Sequence, residues 1–220
     1  MFNTILLCTV SSAAQNALAA STTLEYKGFA YSSSGGTIYA DLNPAKYGLE
    51  SKSVVAGGFN MIEKSTGTSL IAWCVDVFHA LNNKFEYTIG NSSQLNRADD
   101  LQKLVNQRYA EVTDKKTSTA FQLAIWEIVT DTGGGYSLAN GTFQASGFGN
   151  AQALAGNWLK LDGKTSGNYK INYFYDGIMN DKTIAQNLIS ISSVPLPGAA
   201  ILMLSALGLG GLLHRRRRIA

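Results

Sequence analysis

Cysteine and histidine are scarce in this sequence, whose 220 residues contain two of each. Cys8 lies in an apolar N-terminal stretch, so a chain that loses this stretch keeps only Cys74. A single cysteine has no disulfide partner in its own chain. It is therefore buried, modified, paired between chains or bonded to an atom other than sulfur. Between residues 20 and 193 the only histidine is His79, and we expect no metal site and no cofactor.

Charged residues are absent from the first 19 positions. An apolar run from Ile5 to Val10 leads to Ala17-Leu18-Ala19, the small-x-small pattern of a signal-peptidase site. The basic residue that normally precedes such a run is missing. The sequence predicts a signal peptide over residues 1–19 and a mature domain over residues 20–193.

The other long stretch without charge lies near the C-terminus, between Lys182 and Arg215. Within it, Pro197 to Leu213 approaches the roughly 20 apolar residues that a membrane-spanning helix needs. Four arginines follow at Arg215, Arg216, Arg217 and Arg218, and a basic cluster stays on the cytoplasmic side. The preceding domain is then expected outside the inner membrane.

The C-terminal tail, residues 194–220, contains a short proline motif, an apolar helix and an arginine cluster in that order. This order indicates a particular class of tail more specifically than hydropathy does. Val194, Pro195, Leu196 and Pro197 precede the apolar helix and the arginines. This order resembles the PEP-CTERM sorting tail of Gram-negative exopolysaccharide producers, with Leu196 where the family usually has glutamate. The resemblance implies that an exosortase-type enzyme removes or exchanges the tail, leaving the protein at the cell surface or in a biofilm matrix.

Without the four tail arginines, 14 Lys and Arg face 15 Asp and Glu, which leaves a net charge of −1. The basic pI therefore belongs to the tail. No basic stripe remains in the domain, and we expect no nucleic-acid partner.

The domain is long enough for one sizeable core, and with both strands and helices in it we expect an α+β fold. Residue periodicity favours seven strands, with a bulge at Gly57-Gly58 in the third, and three helices. Gly133-Gly134-Gly135 is predicted as a loop, and the stretch from Gly133 to Gly149 is polar and Gly-rich. The predicted strands are Thr22–Ala30, Thr37–Leu42, Ser53–Glu63, Ser69–Phe78, Phe85–Ile89, Tyr169–Tyr175 and Ile184–Ser192, and the predicted helices are Arg97–Val112, Ser118–Val129 and Ala151–Leu161.

The strand Ser69–Phe78 has large apolar residues at alternate positions, including Trp73 and Val75. That face is predicted to line the main core, and Cys74 to point toward another layer. His79 is then expected on the face opposite Cys74. A cysteine hydrolase needs a base beside its thiol, so the sequence argues against one.

The helix Ser118–Val129 is apolar over most of its circumference, as in a buried helix. Gln122 and Trp126, four positions apart, lie on one face of it. A buried glutamine usually finds backbone partners, and an isolated cysteine is usually a small buried hydrophobe. On residue chemistry alone, Gln122 and Cys74 need no further explanation.

Taken together, two segments resemble the thioester domain of bacterial surface proteins: Trp73-Cys74-Val75-Asp76, and Phe121-Gln122-Leu123-Ala124-Ile125-Trp126 with Glu127-Ile128 after it. The resemblance implies an antiparallel β-barrel or sandwich with a helical subdomain. It also implies a bond between the Cys74 sulfur and the Gln122 side-chain carbonyl, formed with loss of ammonia. An amine on a target, such as a protein lysine or a polyamine, would then attack that carbonyl once, so the protein is not an enzyme.

Two further residues belong to this hypothesis by position. Trp126 is the candidate shield of the bond, although a core tryptophan is equally consistent with the sequence. Asp76 either orients the thiol or the amine, or satisfies a loop backbone at the end of the strand. The alternative function is a non-covalent structural or polysaccharide-associated matrix protein in which Cys74 is a buried free thiol.

Overall fold

The computed structural model describes residues 20–43, 48–81, 84–163, 169–179 and 183–194. The predicted signal peptide lies outside these ranges. So does the sorting tail, except Val194, which is half exposed.

The described residues form a mixed α+β fold of strands followed by helices followed by further strands. In chain order the elements are β1 (Ser21–Phe29), β2 (Ser34–Asn43), β3 (Gly48–Ala56), β4 (Phe59–Glu63), β5 (Ser69–Cys74), β6 (Lys84–Asn91), α1 (Ala98–Arg108), α2 (Lys115–Thr130), β7 (Phe143–Ser146), α3 (Asn150–Trp158), β8 (Tyr169–Met179), β9 (Thr183–Ile184) and β10 (Leu188–Ser193).

Six antiparallel strands close into a barrel in the order β10-β5-β4-β1-β6-β8, because β8 also pairs with β10. The short β9 continues from β8 outside this closure. A separate three-stranded sheet has the order β3-β2-β7. The predicted antiparallel barrel with helices is therefore present.

Both faces of β5 are buried at its C-terminal end, from Ala72 to Cys74, which corrects the predicted division there into a core face and a contact face. Cys74 pairs with Leu188, and Leu188 with Phe174, so these side chains share the interior side of the barrel. Trp73 points to the opposite side, where its ring centroid lies 4.8 Å from that of Phe121 on α2. The large apolar stripe thus packs under the helices, and Cys74 belongs to the barrel interior.

The predicted strand Ser53–Glu63 is two strands in different sheets, not one strand with a bulge. β3 ends at Ala56 in the small sheet, and β4 begins at Phe59 in the barrel. A Cβ atom on Gly58 would lie 2.9 Å from the ring of Trp73. Only glycine allows the chain to pass this close to the tryptophan as it changes sheets.

The polar, Gly-rich stretch between Gly133 and Gly149 contains the short strand β7, which was not predicted and which pairs with β2. Helix α2 begins three residues earlier than predicted, because Asp114 caps it by accepting a hydrogen bond from the Thr117 N–H at 2.7 Å. Every residue of α2 from Ser118 to Ile128 is buried. This confirms the prediction of a buried helix.

Candidate functional site

Strand β5 ends at Cys74, beyond the last residue that pairs with the neighbouring strand β4. The Val75 N–H donates to Asn187 O at 3.0 Å, toward β10, so the backbone N–H and C=O of Cys74 point the other way, toward β4. The pairing of β4 with β5 begins at Phe59, which lies opposite Ala72. No residue of β4 is therefore opposite Cys74.

The side chain of Gln122 fills the position opposite Cys74. The Cys74 N–H donates to Gln122 Oε1 at 3.0 Å, and Gln122 Nε2 donates to Cys74 O at 2.7 Å. The amide acts like a peptide group of a neighbouring strand, and only this orientation satisfies both backbone groups. Cys74 and Gln122, 48 residues apart in the chain, are thus brought into direct contact.

Two more polar side chains of α2 dock the helix onto the chain between β3 and β4. The Gly58 N–H donates to Ser118 Oγ at 3.0 Å, and Thr119 Oγ1 donates to Ala56 O at 3.2 Å. Both side chains are fully buried, like that of Gln122. Our sequence reasoning missed these two residues, although three polar side chains near one face of an apolar helix are a readable signal.

The Cys74 thiol is buried, with 2% of the residue exposed. Sγ lies 3.0 Å from the backbone oxygen of Asp76 and accepts from the Asp76 N–H at 3.3 Å. Burial raises the pKa of the thiol to about 12, while the Trp126 indole and the Asp76 backbone lower it by less. Cys74 is therefore a protonated thiol at neutral pH.

Trp126 lies one helical turn after Gln122 and is also buried. Its indole N–H has no hydrogen-bond partner of normal geometry within the described residues, yet it is close enough to Cys74 to lower the thiol pKa. Its ring packs 6.4 Å from that of Phe143 on β7. The predicted position of Trp126 beside the candidate bond is consistent with this arrangement.

Asp76 follows the end of β5 and makes two contacts. Its Oδ1 accepts from the Phe78 N–H at 2.9 Å, which is the loop-satisfying role considered from the sequence. Its Oδ2 lies 2.6 Å from Nδ1 of His79. The basis for expecting His79 on the face opposite Cys74 does not hold, because β5 ends at Cys74 and strand alternation no longer applies at His79. The two residues line the same cavity.

A cavity of about 250 Å³ opens at this end of the barrel. Its polar lining residues include Cys74, Asp76, His79, Lys52 and Gln186. Gln122 is not part of the lining. The apolar lining residues are Tyr26, Phe29, Val54, Val55, Phe59, Val77, Ala80, Leu81 and Trp126.

A second buried polar group lies on α2, beyond Trp126. Glu127 Oε1 accepts from the Ser137 N–H at 2.6 Å, whereas Oε2 has no hydrogen-bond partner of normal geometry within the described residues. Burial, with a smaller contribution from nearby Asp131, raises the pKa of Glu127 to about 7. Sequence reasoning named Glu127 only as part of the motif and did not predict that its carboxyl group is buried.

Within the part of the chain that the structure describes, no three His, Cys, Asp or Glu side chains are grouped as metal ligands would be. Helices long and apolar enough to cross a membrane are likewise missing from these ranges. The predicted sorting helix and Arg215–Arg218 lie outside them.

Comparison with known proteins found neither a family model nor a curated protein sequence that matches this chain. The arrangement of Cys74 and Gln122 therefore has to be interpreted from its own geometry.

Proposed function

We propose that this chain is an exported surface or matrix protein in which Cys74 and Gln122 form an internal thioester that acylates an amine on a target. The observation that carries the proposal is the double hydrogen bond between the Gln122 amide and the Cys74 backbone. It holds a side-chain carbonyl against the residue that bears the thiol, and both Gln122 and Cys74 are buried. Such fixed proximity supplies the orientation that a free glutamine lacks.

The hydrogen bond from the Cys74 N–H to Gln122 Oε1 also favours formation of the thioester. Sulfur attacks the Gln122 side-chain carbonyl carbon, and negative charge develops on Oε1, which already accepts from the Cys74 N–H. The carbon–nitrogen bond then breaks. The thiol proton goes to the departing nitrogen, which leaves as ammonia, so thiol plus amide gives thioester plus ammonia without any other reactant.

Trp126 and the cavity define what can reach the product. Trp126 and Cys74 line the cavity, whereas Gln122 is fully buried and does not. An electrophile in this position is protected from bulk water and is open to an acceptor that enters beside Cys74. Attack by an amine would leave an amide at Gln122 and a free thiol at Cys74, so each molecule reacts once.

Export and sorting complete the proposal. A signal peptide over residues 1–19 and an exosortase-processed tail over residues 194–220 would carry the domain through an inner-membrane intermediate to the surface or matrix. There, lysines of proteins or polyamines would be its acceptors. These segments are proposed from the sequence alone.

A second candidate function is a non-covalent matrix protein in which Cys74 stays a free thiol. The pairing of the Gln122 amide with backbone groups favours it, because the same contacts would satisfy any buried glutamine.

Intact mass and amine reactivity separate the two functions. We expect the mass of the purified protein to be one ammonia lower than the mass calculated from its sequence between the observed termini. Treatment with methylamine should release one titratable thiol. Cys74→Ala and Gln122→Ala should each have the full calculated mass, whereas the control Gln152→Ala on α3 should keep the deficit. A wild-type protein of full mass with a thiol that titrates without amine would contradict the thioester.

A further inference from the structure

The loop after β5 holds a carboxylate and an imidazole as a fixed pair. Asp76 is anchored through Oδ1 by the Phe78 N–H, and its Oδ2 is 2.6 Å from His79 Nδ1. The carboxylate fixes the proton of a neutral imidazole on Nδ1, so Nε2 carries the free lone pair. His79 therefore has the arrangement of an oriented base.

This pair lies between two cavities. Both residues line the cavity of about 250 Å³ that contains Cys74, and both line a neighbouring cavity of about 580 Å³ that does not. The His79 side chain is 43% exposed, whereas that of Asp76 is 11% exposed. The imidazole is thus in contact with solvent and with the space beside the buried thiol.

Reaction with an amine at this site requires two proton transfers, one from the amine and one to the departing sulfur. An alkylamine such as a lysine side chain has a pKa of about 10.4 and is an ammonium ion at neutral pH, which cannot attack a carbonyl. The departing sulfur belongs to a thiol whose pKa burial raises to about 12, so it must receive a proton. One group that accepts a proton and then returns it can carry out both transfers.

We propose that His79, oriented by Asp76, is the general base and acid for aminolysis at Cys74 and Gln122; this rests on the thioester proposed above. His79 Nε2 takes a proton from the alkylammonium ion, and the amine nitrogen attacks the Gln122 carbonyl carbon. The carbon–sulfur bond breaks, and Cys74 leaves with a proton from His79. Attack gives the nitrogen a second surplus proton, which is lost to solvent, so ammonium plus thioester gives amide, thiol and one proton.

Ionisable groups from several elements face His79 in the Cys74 cavity. The ionisable groups that share the Cys74 cavity with it are Asp76 on its own loop, Lys52 of β3, Tyr26 of β1 and Cys74 itself. Lys52 Nζ donates to Val77 O at 3.2 Å and is the cation of this set. The neighbouring cavity adds uncharged polar residues, among them Asn96 and Thr142.

Methylamine-triggered thiol release, followed from pH 5 to pH 9 on the full chain, tests this role. We expect His79→Gln to keep the ammonia deficit in its mass but to release the thiol at least about tenfold more slowly at pH 7. Its rate should then follow only the fraction of free methylamine, without the step that imidazole adds to the wild-type profile. Asp76→Asn should slow release by less and shift that step.

Phe78→Ala is the matched control, because this exposed side chain lies on the same loop and its backbone bond to Asp76 remains. We expect the wild-type rate and pH profile for it. If both His79→Gln and Asp76→Asn kept the mass deficit and had the wild-type rate and pH profile, the role of His79 would be overturned. The proposed thioester would not be affected by that result. A wild-type protein without the deficit would overturn the thioester and this inference together.

Discussion

Gln122 and Glu127 are buried polar side chains five residues apart on α2, and both are fully shielded from solvent. The amide of Gln122 has a backbone partner for its oxygen and another for its nitrogen. In the carboxyl group of Glu127, Oε1 accepts a backbone hydrogen bond, whereas Oε2 has no partner of normal geometry within the described residues, and the pKa of the group is raised. One helix therefore carries a neutral group held in one geometry and, beside it, a group whose charge depends on pH.

The difference shows what the Cys74 site requires. A neutral amide with both partners is buried at low cost and keeps its geometry at any physiological pH. A carboxyl group in the same position would repel the Cys74 carbonyl when ionised. The choice of glutamine at 122 thus fits a site that has to hold a carbonyl carbon still.

The largest change should follow from Gln122→Ala. It removes the thioester and leaves the buried N–H and C=O of Cys74 without partners, at a cost of about 1–3 kcal/mol for each group. Cys74→Ala also removes the thioester, but it leaves the Gln122 amide paired with the backbone N–H and C=O of residue 74. This variant therefore has no unpaired backbone groups at the end of β5. Urea unfolding should therefore find Gln122→Ala less stable than Cys74→Ala, and equal stabilities would contradict the strand-like role of the amide.

Glu127→Gln should remove a pH dependence from stability. The folded pKa of Glu127, about 7, is above its ordinary value of 4.5, so the folded state binds the proton more tightly. Its contribution to stability is full below pH 4.5 and declines as the pH rises to 7, by at most about 3 kcal/mol. Other carboxyl groups with lowered pKa values, such as Glu25 and Glu63, have the opposite trend.

The difference between wild type and Glu127→Gln is therefore the quantity to measure, by urea unfolding at pH 4.5, 6 and 8. We expect the variant to gain stability relative to wild type as the pH rises. A difference that is constant over this range would show that Glu127 has the same pKa in the folded and the unfolded protein.

The smallest effects should come from the docking residues. Ser118→Ala and Thr119→Val each remove one buried hydrogen bond, at about 1–2 kcal/mol, without touching Cys74. The ammonia deficit should remain in both variants. Loss of the deficit in either one would mean that small shifts of α2 are enough to separate Gln122 from Cys74.

Much of this arrangement follows from local patterns in the sequence. Alternation predicted most barrel strands, and the apolar circumference of Ser118–Val129 predicted a buried helix. Barrel closure by the pairing of β8 with β10 depends on contacts between distant residues, which periodicity does not contain. Strand β7 was missed because four residues among glycines are too short to show a period.

The site was predictable in part for the same reason. The two segments around Cys74 and Gln122 named the residues, and the structure brings them together. The end of β5 at Cys74 was not visible in the sequence, so alternation was extended to His79, which lies beyond the strand and lines the same cavity as Cys74. The titratable Glu127 depends on the packing of the chain after α2 against the helix, which the sequence alone does not reveal.

The proposed thioester joins two named atoms, Cys74 Sγ and the Gln122 side-chain carbonyl carbon, and peptide mapping after methylamine treatment examines both. The protein is treated with methylamine, alkylated with iodoacetamide and digested, and a matched sample is alkylated without the amine. We predict a methylamide at Gln122 and alkylation at Cys74 in equal yield, both dependent on methylamine. An unmodified Gln122 together with a Cys74 that is alkylated equally without amine would contradict the thioester.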